Sequence, residues 1–79
     1  MRLGVMCSGN GTNFENILRT CNKDEVVLMI TNKKKCGAIK RARKFGVPYC
    51  YINYKEEDQM IKLFEAWHVD IIILAGYMR

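Results

Sequence analysis

Residues 1–13, "MRLGVMCSGNGTN", decide how the rest of the chain is read. Leu3, Val5 and Met6 open a strand pattern that ends near Cys7. Cys7-Ser8-Gly9-Asn10-Gly11-Thr12-Asn13 then places two glycines around an asparagine, with a hydroxyl residue after them. From Asn13 to about Thr20, Phe14, Ile17 and Leu18 recur at helical spacing. A strand that turns through glycines into a helix is the opening unit of a parallel α/β sheet.

The remaining residues repeat that alternation. Val26-Val27-Leu28-Met29-Ile30 is a continuous apolar run, the pattern of a strand buried on both faces. Ala38 to Phe45 reads as a second helix with Ile39, Ala42 and Phe45 on one side. Gly46 stops it and Pro48 follows. Tyr49 to Ile52 is a short third strand. Lys55 to about Trp67 is a third helix, with Met60, Ile61, Phe64 and Trp67 expected on its inner face. Val69 to Ala75, "VDIIILA", is expected as a fourth buried strand. Short connections between strands and helices make a parallel sheet the expected result, in a single domain over residues 1–79.

Composition narrows the class. The apolar fraction is 49% and the charged fraction 27%, as in a globular chain. A chain this small buries only about 60% of its unfolded surface, so its stability margin is thin. No apolar run reaches the roughly 18 to 20 residues that span a bilayer. The N-terminal apolar stretch is too short for a signal-peptide core, which leads to a cytoplasmic assignment. Cys7, Cys21, Cys36 and Cys50 contain no C-x-x-C pair, and His68 is the sole histidine. Four reduced thiols are expected rather than a disulfide framework or a metal site. The formal charge of +5 is concentrated in Lys33-Lys34-Lys35 and in Lys40, Arg41, Arg43 and Lys44. It favours anionic partners, or else marks a solvated loop and helix face.

In a parallel sheet, ligands bind beyond the carboxyl ends of the strands, and the Gly9–Gly11 loop lies at the first such end. The N–H groups of Gly11, Thr12 and Asn13 at the helix start, with the helix dipole, suit an anion. The pattern alone leaves a second reading open, in which Thr12 or Asn13 caps the helix and the glycines turn. A dinucleotide fingerprint needs a third glycine where Phe14 stands, and an acidic residue where Thr31, Asn32 and Lys33 stand. NAD is therefore disfavoured, and NADP stays open because the lysine run could meet its 2′-phosphate. No Gly-Lys-Ser/Thr follows, which excludes a Walker A loop. A monophosphate site for a phosphorylated sugar or nucleotide survives.

Three stretches carry a resemblance: "SGNGTNFENIL", "ITNKKKCGAIKRARKFGVP" and "VDIIILAGYMR". In this order and spacing, over the whole chain, the sequence resembles phosphoribosylglycinamide formyltransferases of purine biosynthesis. The resemblance implies a Rossmann-like parallel sheet of four strands in the order 3-2-1-4 with three helices, the N-terminal half of the family's fold. It implies that Gly11, Thr12 and Asn13 hold the phosphate of glycinamide ribonucleotide. It implies that Met78 and Arg79 begin a segment lining the pocket of the cosubstrate, 10-formyltetrahydrofolate, and that no metal takes part. Lys55 lies near a folate-contacting arginine of the family, in a loosely aligned stretch.

Family members are longer, and their catalytic Asn, His and Asp lie beyond the "AGYMR" segment. No catalytic residue is therefore assigned here, and His68, at a helix end before the fourth strand, is read as a boundary residue. The chain is expected to be a truncated, phosphoribosyl-binding portion, inactive alone. The alternative is a non-catalytic module that binds a phosphorylated nucleotide or sugar, or a regulator. A nucleic-acid partner is disfavoured, because no recognition motif accompanies the basic stretches. Tyr49, Tyr51 and Tyr54, at strand spacing, are read as packing on or edging the sheet. The fourth strand, at the sheet edge, is expected to pair with a complementing C-terminal half or with a second copy in a homodimer.

Overall fold

Each apolar run becomes a strand in a computed structural model of the chain, which describes residues 1–21 and 25–77. The order is β1 (Leu3–Cys7), α1 (Thr12–Thr20), β2 (Val26–Thr31), α2 (Gly37–Phe45), β3 (Tyr49–Tyr51), a 3-10 turn (Tyr54–Glu56), α3 (Glu57–Ala66) and β4 (Ile71–Leu74). The strands form one sheet in the order β3-β2-β1-β4, and every pairing is parallel. Central β1 aligns Val5 with Met29 on one side and with Ile73 on the other.

Alternation along β1 sorts its side chains between two layers. Leu3, Val5 and Cys7 join Phe14 and Leu18 of α1 and Ala38 and Ala42 of α2 in one core. The opposite face holds Leu28 and Ile30 of β2 against Met60 and Phe64 of α3, with Ile52. Full burial of a side chain such as Phe14 or Ile30 contributes about 1.5–3 kcal/mol. Gly4 faces α3, and a Cβ there would lie 2.5 Å from Phe64 Cε1. The glycine is what lets the Phe64 ring lie on the middle of the sheet.

Turn chemistry sets the ends. Gly46 takes φ 72°, and its N–H bonds Arg43 O at 3.3 Å while the Val47 N–H bonds Ala42 O at 2.8 Å. Such a left-handed glycine closes a helix and satisfies its last carbonyls. At the other end of the sheet, Arg2 N–H donates to Asp70 Oδ2 at 2.7 Å, and its Nη2 donates to Trp67 O at 2.8 Å. These bonds fix the return from α3 into β4. His68, exposed with φ 56°, lies in that return, as a boundary residue does.

Three expectations need correction. Ile61 is 53% exposed rather than inward. Met60 and Phe64, four residues apart, define the buried face, with Leu63 and Trp67 packed beside it; Ile61 is one step around the helix from Met60. The third helix also begins later, at Glu57, because the Asn53 side chain accepts the Lys55 N–H at 2.9 Å and starts a 3-10 turn. The fourth strand is shorter and not buried: Ile71 and Ile72 are exposed and Leu74 is 67% exposed. It pairs with β1 alone among the described strands, so one edge has no neighbour.

Gly4→Ala should lower stability by about 1–3 kcal/mol, the usual effect of overpacking. Urea unfolding would show a lower midpoint with an unchanged slope. An unaltered midpoint would mean that the Phe64 ring does not press on Gly4.

Candidate functional site

The loop after β1 is shaped by backbone meeting backbone. Gly11 takes φ 85°, and a Cβ there would lie 2.6 Å from Ala38 Cα. A Cβ on Gly37 would overlap the Asn10 carbonyl. The loop and the first turn of α2 thus approach as closely as two main chains can, and only glycines permit it. Gly9 is not under the same constraint. It has no positive φ, and a Cβ there would meet nothing within 4 Å, so neither its dihedral nor packing requires glycine.

Gly11, Thr12 and Asn13 stand together at the carboxyl end of β1, with Gly11 buried and the other two exposed. Asn13 Nδ2 faces Gly76, past the end of β4, where a Cβ would lie 3.7 Å away. The loop therefore opens between the ends of β1 and β4. Met78 and Arg79, the expected folate-side residues, lie outside the described residues.

The helix start is capped by a residue the sequence reading did not single out. Asn10 Oδ1 accepts the Thr12 N–H at 3.1 Å and the Thr12 hydroxyl at 2.8 Å. Neither Thr12 nor Asn13 caps α1 through its side chain. An asparagine that bonds the backbone two residues on forms a local turn, which competes well at a helix start. Its carboxamide oxygen takes the two Thr12 donors that an anion would use. An entering phosphate has to displace it or share them.

Beneath the loop, Ser8 donates its hydroxyl to Asn32 Oδ1 at 2.6 Å, a buried bond joining the ends of β1 and β2. The buried Thr31 hydroxyl accepts the Lys33 N–H at 3.1 Å and lies 3.4 Å from Cys36 Sγ. Burial pushes the Cys7 thiol up, against the opposing pull of the Gly9 and Ser8 backbone N–H groups. Cys7 is a protonated core residue rather than a nucleophile. All four cysteines are free.

Arg41 is the second residue that pattern reading missed. Its position in a basic run reads as a solvated helix face, yet its side chain turns under the loop. Nη1 donates to Asn10 O at 2.6 Å and to Gly37 O at 3.4 Å. Nε lies 3.3 Å from Glu15 Oε1, an ion pair without hydrogen-bond geometry. Glu15 also accepts from Arg19 Nε at 3.0 Å, the main reason that its carboxyl is held below the ordinary range. Four of the other cations gather around the start of α2. Lys34, Lys35, Lys40 and Arg43 line an open depression with Cys36, Gly37 and Ile39. Lys34 sits over the Tyr51 ring at 5.6 Å and Arg43 over the Tyr49 ring at 5.7 Å. Those tyrosines edge the sheet under cations. Among the described residues, no cluster of His, Cys, Asp and Glu could hold a metal ion. No helix there is long and apolar enough to cross a membrane.

Comparison with known proteins gives one consistent result. The formyl transferase family model matches residues 1–79. A chloroplastic phosphoribosylglycinamide formyltransferase of Arabidopsis thaliana is 31% identical over 90 aligned residues, covering 99% of this chain and 31% of the plant protein. The trifunctional purine biosynthetic protein adenosine-3 of Gallus gallus is 29% identical, covering all of this chain and 9% of its own length. A crystal structure of glycinamide ribonucleotide transformylase 1 from Symbiobacterium toebii superposes with a TM-score of 0.90 at 30% identity, over 100% of this chain and 42% of that one. The chain thus spans about a third of the plant relative and under half of the bacterial one.

Proposed function

The chain belongs to the formyl transferase family, and on that footing we propose that it is the phosphoribosyl-binding part of a phosphoribosylglycinamide formyltransferase. The observation that carries this reading is the loop itself. A left-handed Gly11, pressed on Ala38, opens α1 at the carboxyl end of the central strand. Gly11, Thr12 and Asn13 then face a phosphate with the N–H groups and dipole of a helix start.

In the proposed reaction, the amine of glycinamide ribonucleotide attacks the formyl carbon of 10-formyltetrahydrofolate. The new C–N bond forms, the bond to folate N10 breaks, and the proton lost by the amine replaces the formyl group on N10. This chain's share is to hold the phosphate, remote from the reacting atoms. Binding energy gathered there fixes the amine in place, which converts affinity into orientation. The oxyanion and proton work belongs to the Asn, His and Asp that the resemblance places beyond residue 79. Met78 and Arg79 are the proposed start of the folate-facing segment. The free thiols suit a reducing compartment, the cytoplasm in this reading.

The unpaired edge of β4 is proposed as the docking place for further strands, from a complementing C-terminal half or from a second copy. Ile71 and Ile72 are each 45% exposed and carry no charge to repel a partner strand. The 79-residue chain should therefore sediment as a dimer or larger species. A folded monomer at high micromolar concentration would contradict that.

Calorimetric titration with glycinamide ribonucleotide tests the phosphate site. Gly11→Val should abolish binding, since a branched side chain meets Ala38 and resists positive φ. Thr12→Ala should weaken it by about 1 kcal/mol, the worth of one hydrogen bond. Undiminished affinity in Gly11→Val would remove the loop from the site.

A further inference from the structure

We propose that Arg41 is a positioning residue that sets the shape of the anion-binding loop from behind. The inference rests on the phosphate-site reading and adds a residue to it. Arg41 touches no ligand atom in this account. It acts through the Asn10 carbonyl, which it holds at 2.6 Å, and through the Gly37 carbonyl at 3.4 Å. One guanidinium thus ties the loop to the first turn of α2, at the place where glycines remove every side chain between the two backbones.

The role is geometric more than electrostatic. Glu15, shared with Arg19, lies 3.3 Å from Arg41 Nε and offsets part of its charge. A net positive charge aimed at the ligand would not be arranged against a carboxylate. The orientation of the peptide after Asn10 has direct consequences. Its carbonyl is held inward by Arg41, so the N–H of Gly11, on the same planar peptide, points the opposite way. The N–H groups of Thr12 and Asn13 follow from the Gly11 conformation. Without the guanidinium, the Asn10 carbonyl loses its anchor, and the donors lose their common aim. A planar fork reaches two carbonyls at once, which an ammonium does less well.

The test compares the wild-type chain, Arg41→Met and Arg41→Lys. Each is titrated with glycinamide ribonucleotide, and amide hydrogen exchange is read at Thr12 and Glu15, whose N–H groups bond Asn10 Oδ1 and Gly11 O. Arg41→Met keeps the apolar stem, and affinity should fall about tenfold, the loss of a charged hydrogen bond. Exchange at these two amides should quicken while the β1 and β2 amides stay protected. Arg41→Lys should recover part of both effects. Wild-type affinity with wild-type loop exchange in Arg41→Met would overturn the proposal. If Arg41→Met does not fold, wild-type values in Arg41→Lys overturn it and intermediate values support it. If the wild-type chain binds no glycinamide ribonucleotide, the functional reading fails, and loop exchange alone decides whether Arg41 sets the loop.

Discussion

The contact between the Asn10–Gly11 peptide and the Gly37–Ala38 turn is the constraint on which the site depends. Two main chains meet there with no side chain between them. Asn10 offers its carbonyl to Arg41, Gly11 adopts a left-handed conformation, and α1 starts in one direction only. A bulky residue at either glycine would push α1 away from α2. The first turn of α1 would then no longer lie over the end of β1.

The sheet supplies the base for that contact. Central β1 is fixed on one face by Phe14, Leu18, Ala38 and Ala42, and on the other by the Phe64 ring over Gly4. Burial therefore fixes the height of Cys7 and Ser8, and the Ser8–Asn32 bond ties the strand end to its neighbour. Local polar chemistry then finishes the loop: Asn10 holds both Thr12 donors in reserve.

Much of this was legible in residue pattern. The alternation of apolar runs with helical spacing located the four strands and three α-helices to within a few residues, and "CSGNGTN" marked the loop because its glycines follow a strand and precede a helix. What escaped has a physical cause in each case. Ile61 is apolar and adjacent to Met60, yet helix geometry turns it outward while Phe64 turns in. "DIIILA" has the composition of a central strand, but burial depends on what packs on its faces and beside it, and among the described strands β1 alone pairs with it. Asn10 was not legible as the cap, since Thr12 and Asn13 are also cap residues by type. Arg41 is one cation in a basic run, and only the fold shows that its side chain turns under Asn10 while its neighbours face outward. Gly37 sits at a helix start, where sequence gives no hint that Asn10 presses on it.

The most direct measurement is an amide NMR titration of the chain with glycinamide ribonucleotide, repeated with the same compound lacking its phosphate. The expected result is that the amide resonances of Gly11, Thr12 and Asn13 shift with the phosphorylated compound and stay in place with the other. Shifts centred instead on Lys34, Lys35 and Lys40, or none at all, would contradict it.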